Sequence, residues 1–277
     1  MPYEHVSFPS ADGTRLSGWF IPARGLADAR TARGTVIQFH GNAQNLTSHW
    51  RSVDWLPDRG FNLFVFDYRG YGASAGVPSP QGVFENSRSA LDYVRSRADL
   101  DPRRLLVLGP SLGGANAIAV VGSDDREGVR AVVIESAFAS YSSIANDKLP
   151  STGLLADDAF SPDRFVAGIA PIPLLLIHGA DDQVIPLAHS ERLFQLAGDP
   201  KRLILVPGGR HADAFSPRFG LEYKDLVANF FDSALAAHGL LSNSALVQTA
   251  AGRPSTFGAE ASPPSVGLVS AAPLNGR

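Results

Sequence analysis

The chain has 277 residues, a formal net charge of −3 and no cysteine. Its composition, 44% hydrophobic and 18% charged, is typical of a globular protein that buries a sizeable core. The charge leaves no basic field to attract nucleic acid, and the lack of cysteine excludes disulfides, thiolate metal ligands and a cysteine nucleophile. We therefore expect a cytoplasmic protein with no nucleic-acid partner.

No membrane-targeting or membrane-spanning segment is predicted. Residues 1–20 lack a basic stretch followed by an apolar run, which a signal peptide would require. The longest uncharged stretch, residues 105–122, contains Pro110, Ser111 and Asn116 together with several glycines. These residues divide it into a strand, a turn and a helix rather than a transmembrane helix.

The predicted elements alternate between strand and helix after an initial hairpin. Val6 to Phe8 and Leu16 to Phe20, joined by an Asp12-Gly13 turn, favour an antiparallel hairpin at one edge of a sheet. Continuously apolar runs then predict strands buried on both faces, at residues 35–39, 62–66, 105–108, 131–134, 174–177 and 203–206. Apolar residues at helical spacing predict helices between them, around residues 50–56, 83–94, 115–121, 187–196 and 226–235. This order predicts an α/β fold with a mostly parallel central sheet and helices on both faces.

The chain divides into a main domain and a tail. We expect the domain to span residues 1–238, with residues 138–170 forming either a small lid over the site or an ordinary helix with long loops. Residues 239–277 are rich in Ala, Ser, Pro and Gly, and we expect them to be disordered because they can bury little apolar surface.

A nucleophile motif follows the predicted strand at 105–108. The segment Gly109-Pro110-Ser111-Leu112-Gly113-Gly114 lies between a strand and a helix, the setting that a Gly-x-Ser-x-Gly turn needs. In so sharp a turn, side chains two positions before and after the serine would collide with the neighbouring strand and helix. Ser111 is therefore the predicted nucleophile.

Two further residues complete a predicted triad. His211 follows the last predicted strand, so its imidazole can reach across the sheet to Ser111 as the base, whereas His5, His49, His189 and His238 are expected at the surface. Asp182, two residues before Val184-Ile185-Pro186, is the predicted acid that orients the imidazole. Glu135, at the end of the neighbouring strand, is the alternative acid.

Two backbone amides are predicted to form the oxyanion hole. One belongs to Leu112, directly after the nucleophile, at the positive N-terminal end of the following helix. The other belongs to Asn42, in the His40-Gly41-Asn42-Ala43 turn after the strand at 35–39.

These motifs resemble those of the α/β-hydrolase superfamily, and within it the small-lid branch that includes protein depalmitoylases and serine aminopeptidase-like hydrolases. The resemblance covers most of residues 6–238. It rests on the nucleophile turn, on His40 to Ala43, on the Asp67-to-Ser74 loop, and on the segments around Asp182 and His211. The resemblance implies the same triad and a mechanism that needs no metal or other cofactor.

The sequence therefore predicts a serine hydrolase that cleaves a small-molecule ester, thioester or amide through an acyl-enzyme. A carbon–carbon bond hydrolase with the same triad is one alternative. A non-catalytic binding protein on this fold is another, because a fold does not determine a function.

Overall fold

The computed structural model describes residues 3–250, with the backbone alone described for 238–250. Eight strands form one sheet: β1 Glu4–Pro9, β2 Arg15–Ile21, β3 Thr35–Gln38, β4 Asn62–Asp67, β5 Leu105–Pro110, β6 Val129–Glu135, β7 Leu174–Gly179 and β8 Lys201–Val206. Six α-helices lie between and after them: α1 Leu46–His49, α2 Pro80–Ser96, α3 Leu112–Gly122, α4 Tyr141–Lys148, α5 Leu187–Leu196 and α6 Glu222–Ala250.

The sheet has the order β1-β2-β4-β3-β5-β6-β7-β8. Strand β2 pairs antiparallel with both β1 and β4, and every other neighbouring pair is parallel. The predicted fold class is confirmed, including the hairpin at one edge. Parallel strands end on the same side of a sheet, so the loops after β3, β5, β6, β7 and β8 share one edge of the domain.

Both faces of the sheet are covered by apolar packing. Alternate residues of one strand enter different clusters: Val107 packs with Ile118 of α3 on one face, while Leu106 packs with Phe231 of α6 on the other. This arrangement explains why the central strands read as continuous apolar runs, since neither face meets water.

The structure differs from the predicted elements in the segment after β3. Residues 50–56, predicted as a helix, form only short 3₁₀ turns after the four-residue α1. The predicted apolar stripe does face the core, because Val53 and Leu56 are fully buried. Pro57, however, lacks the amide proton that would extend a helix through this segment.

The structure describes the whole segment predicted as a lid, but only the first part of the predicted tail. Residues 138–170 contain α4 and three 3₁₀ turns, at Thr152–Leu155, Pro162–Arg164 and Val166–Ile169. The backbone of α6 is helical as far as Ala250, beyond the predicted start of the disordered tail at 239. Residues 251–277 lie outside the described residues, so disorder there stays a prediction. None of the described helices is long and apolar enough to cross a membrane.

The turn between β5 and α3 depends on glycines that leave no room for a side chain. A Cβ on Gly113 would lie 1.9 Å from the carbonyl oxygen of Phe39, and one on Gly109 would lie 2.6 Å from that of Gly113. Because the colliding atoms belong to the backbone, neither collision can be relieved by rotating a side chain. The glycines therefore allow β3, β5 and α3 to approach each other closely.

We expect Gly113→Ala to lower the free energy of unfolding by about 3 kcal/mol or more, because the overlap forces the helix away from β3. Gly41→Ala is the comparison, since the nearest atom to its Cβ would be Cε1 of the His49 side chain at 3.3 Å, and the backbone oxygen of Pro110 would lie at an ordinary 3.7 Å. Urea unfolding of both variants measures the difference, and equal losses would contradict this account of the turn.

Candidate active site

Ser111 is held in a strained conformation between β5 and α3. Its φ of 54° and ψ of −125° lie outside the regions that residues other than glycine favour. Its amide donates a hydrogen bond to the carbonyl of Glu135 at 2.8 Å, which ties the turn to β6. Such strain is characteristic of functional positions, because the surrounding structure must maintain it.

Ser111, His211 and Asp182 are brought together in one hydrogen-bonded chain. The Nδ1 atom of His211 lies 2.9 Å from Oδ2 of Asp182, and its Nε2 atom lies 3.0 Å from Oγ of Ser111. An ionised carboxylate can only accept, so Nδ1 carries the ring proton and Nε2 is left to accept from the serine hydroxyl. The three residues come from the ends of three different strands.

Hydrogen bonds keep the Asp182 carboxylate ionised although it is buried. Burial alone would raise its pKa, but the hydrogen bonds from His211 and from the amides of Ile185 and Val184 lower it to about 2. The amides of Val184 and Ile185 donate to Oδ1 at 2.8 and 2.9 Å, which leaves Oδ2 to face the imidazole. The Val184-Ile185 turn therefore supplies the donors that orient the acid.

Glu135, the alternative acid, has a different partner. Its Oε1 atom accepts a hydrogen bond from the amide of Ala214 at 2.8 Å, whereas the Nδ1 atom of His211 is bonded to Asp182. Burial raises the pKa of Glu135 to about 7, against the lowering effects of the Ala214 amide and of His211.

The turn after β3 presents the Asn42 amide to the site. The Nδ1–H group of the buried His40 donates to the carbonyl of Gly41 at 2.7 Å. In a trans peptide the C=O and N–H groups point in opposite directions, so this bond directs the next amide, that of Asn42, away from His40. Tyr71 donates to the Asn42 side chain at 2.9 Å and holds the same turn from outside.

His40 and Tyr71 are contributors that sequence reasoning missed. Burial lowers the pKa of His40 to about 4, so the ring is neutral near pH 7 and acts as a hydrogen-bond donor rather than as a base. The signal for both residues lay in the sequence: His40 directly precedes the turn glycine, and Tyr71 lies between two glycines in the Asp67-to-Ser74 loop. At the start of that loop, Asp67 accepts a hydrogen bond from the Leu46 amide at 2.7 Å, which ties the loop to α1.

Two further histidines, His178 and His189, lie inside the domain rather than at its surface. His178 is fully buried, bonded to Ser190 and to the carbonyl of Ile185, and burial lowers its pKa. The expectation that His189 lies at the surface is wrong. Only 5% of it is exposed, because its ring accepts from the Ala139 amide at 3.0 Å and bonds to Asp147 of α4 at 2.7 Å.

A cavity of about 250 Å³ opens beside Ser111. Polar side chains in its lining include Asn42, Ser48, His49, Ser52, Glu135 and His211. Among the side chains described, those of residues 3–237, no cluster of three or more His, Asp or Glu could hold a metal ion.

Comparison with known proteins assigns the family. Residues 30–156 match the family model described as "Serine aminopeptidase, S33". The chain is 33% identical over 232 residues to the α/β-hydrolase domain-containing protein WAV2 of Arabidopsis thaliana, covering 77% of this chain and 73% of that one. The chain belongs to the α/β-hydrolase superfamily.

Two further similar proteins differ in kind: one has a higher sequence identity to this chain, and the other resembles it in fold alone. Identity reaches 53% over 232 residues with the protein YfhR of Escherichia coli O157:H7, covering 84% of this chain and 81% of YfhR. The structure of the Pyrococcus furiosus esterase Pf2001 superposes with a TM-score of 0.67 at 19% identity, over 84% of this chain and 90% of that one. The family model and the similarity to WAV2 support a hydrolase.

We expect the stability of wild type relative to Glu135→Gln to fall as the pH rises from 5 to 8. In the folded state burial raises the pKa of Glu135 from its ordinary value of 4.5 to about 7. Above pH 7 the folded wild type must therefore keep a buried negative charge, which glutamine lacks. The free-energy difference should change by roughly 3 kcal/mol in favour of the variant, since one pKa unit corresponds to about 1.4 kcal/mol. Urea unfolding at both pH values measures it, and a difference independent of pH would refute the buried charge.

Proposed function

We propose that the protein is a serine hydrolase in which Ser111 is the nucleophile, His211 the general base and Asp182 the acid that orients the base. The observation that carries this proposal is the continuous hydrogen-bonded chain from the serine hydroxyl through both imidazole nitrogens to an ionised carboxylate. A serine hydroxyl is a weak nucleophile, and an adjacent oriented base is what activates it.

The amides of Leu112 and Asn42 are the proposed oxyanion donors. Leu112 begins α3, where the first amides of a helix have no partner within the helix and the helix dipole favours a negative charge. The Asn42 amide is directed by the bond between His40 and the Gly41 carbonyl. Each donor placed at a developing oxyanion contributes about a hundredfold or more to the rate.

The proposed reaction has two steps. Oγ of Ser111 bonds to the carbonyl carbon while its proton passes to Nε2 of His211, and the bond to the leaving group breaks as that proton is returned to it. Water then attacks the acyl carbon and gives a proton to Nε2 of His211, which passes it to Oγ of Ser111 as the bond between Oγ and the acyl group breaks and the acid leaves. Asp182 stays ionised throughout and stabilises the imidazolium that forms in each step.

The substrate class follows from this chemistry, and the names of similar proteins support it. An ester, a thioester or an amide each offers a carbonyl that this sequence of steps can cleave. Pf2001 is described as an esterase, and the matching family model as a serine aminopeptidase. The cavity of about 250 Å³ beside Ser111 favours a small substrate group, to which the polar side chains of its lining could form hydrogen bonds.

A fluorophosphonate probe should label the wild-type protein covalently, because an activated serine attacks the phosphorus atom. Ser111→Ala should not be labelled, while Ser136→Ala serves as the control, since Ser136 lies nearby but has no imidazole nitrogen as its partner. Intact-protein mass spectrometry reads out the adduct. Equal failure of wild type and Ser111→Ala to react would favour the binding-protein alternative.

We expect Asp182→Asn to lower kcat for p-nitrophenyl acetate by about two to four orders of magnitude, because the amide no longer favours the required tautomer or stabilises the imidazolium. Glu135→Gln is the matched comparison and should lose far less. If the sizes of the two effects were reversed, Glu135 rather than Asp182 would be the acid.

A further inference from the structure

Glu135 contacts both the nucleophile turn and the loop that carries the base. Its backbone carbonyl accepts the hydrogen bond from the Ser111 amide at 2.8 Å, and its carboxylate accepts the one from the Ala214 amide at 2.8 Å. Ala214 lies three residues after His211. One residue at the end of β6 therefore fixes the backbone on both sides of the 3.0 Å contact between Ser111 and His211.

The His211 loop is tied to the turn after β7 on one side of His211 and to the end of β6 on the other. Before His211, the carbonyl of Gly209 accepts a hydrogen bond from the Asp181 amide at 2.8 Å. His211 itself lies outside any regular element, between β8 and α6, and the next residue, Ala212, has a positive φ of 48°. The Ala212 amide makes only a long contact, 3.4 Å, to the hydroxyl of Ser136. The bond between Ala214 and Glu135 is the shorter of the two links from this loop to β6, and it is buried.

We propose that Glu135 is a positioning residue that holds His211 at hydrogen-bonding distance from Ser111 by accepting the Ala214 amide. This inference rests on the proposed function, since it concerns the geometry of that nucleophile and that base. A buried amide left without its acceptor is costly, so the loop without this carboxylate would shift to reach another partner or water.

The acceptor is present whether or not Glu135 is ionised, but the charge adds a second effect. The charged groups around it are Asp182 after β7, and His211 and Asp213 in the loop after β8, while His49 at the end of α1 lines the same cavity. The two aspartates oppose ionisation of Glu135 and His211 favours it. An ionised Glu135 is therefore a second negative charge beside the imidazolium that the proposed mechanism requires.

The decisive comparison is between Glu135→Gln, which keeps an acceptor oxygen, and Glu135→Met, which fills a similar volume without one. At pH 6 we expect the glutamine variant to keep about a third or more of the wild-type kcat for p-nitrophenyl acetate. The methionine variant should lose about tenfold or more in kcat and in its rate of fluorophosphonate labelling, with KM little changed. The melting temperature of each variant establishes that it is folded.

A dependence on pH separates this role from a purely structural one. Because glutamine cannot ionise, the ratio of wild-type to Glu135→Gln kcat/KM should rise about threefold or more between pH 6 and pH 8. Asp213→Asn is the control, since it removes a carboxylate from the same loop whose contacts are to the amide of Arg210 and to Arg218. Its kcat should stay within about twofold of wild type.

Equal kcat for the glutamine and methionine variants at pH 6 would overturn the proposal, because the acceptor oxygen would then make no difference. A flat ratio against pH would overturn the added effect of the charge. Should the methionine variant fail to fold, Glu135→Leu, which also lacks an acceptor, takes its place in the comparison. Ser111→Ala distinguishes failure of the proposed function from failure of the positioning role alone. If it hydrolyses the ester like wild type, the proposed function fails, whereas if only the Glu135 variants behave like wild type, the positioning role alone fails.

Discussion

The close approach of the β5–α3 turn to the end of β3 is the constraint on which the site depends. A backbone carbonyl of Phe39 occupies the space where Gly113 would otherwise carry a Cβ, so the loop after β3 and the start of α3 lie against each other. This contact brings the turn that contains Asn42 close to the start of α3, where Leu112 lies. It also requires the positive φ of Ser111, because a helix that starts so close to a strand leaves no room for a gradual turn. The strain is maintained by the buried sheet on both sides of β5.

The charged groups of the site lie together at the same edge of the sheet. Strands β5, β6, β7 and β8 end there, and the residues at and after their ends bring Glu135, Asp182 and His211 close to the serine. The two carboxylates behave in opposite ways. Asp182 receives two backbone amides and an imidazole, which outweigh burial, whereas the more deeply buried Glu135 receives a single amide, which does not. The number of donors and the depth of burial together decide which acid carries its charge near neutral pH.

Much of this arrangement could be predicted from the sequence, and the rest could not for physical reasons. Apolar runs identified six of the eight strands and the hairpin pattern identified the first two, although β8 is only partly buried rather than buried on both faces. The glycines around Ser111 predicted the turn because their steric role is local. By contrast, the roles of His40 and Tyr71 depend on where a peptide group points, and that of Glu135 on an amide 79 residues away. The burial of His189 likewise depends on contact with α4, which helical spacing does not reveal.

The bonds that Asp182 accepts from its own turn have a consequence for behaviour in acid. Its Oδ1 atom accepts from the amides of Val184 and Ile185, and its Oδ2 atom accepts from His211. Although burial alone would raise the pKa of Asp182, these donors lower it to about 2, whereas burial raises the pKa of Glu135 to about 7. Acid should therefore neutralise Glu135 long before Asp182, and the Val184-Ile185 turn should be among the last parts of the site to lose its native form.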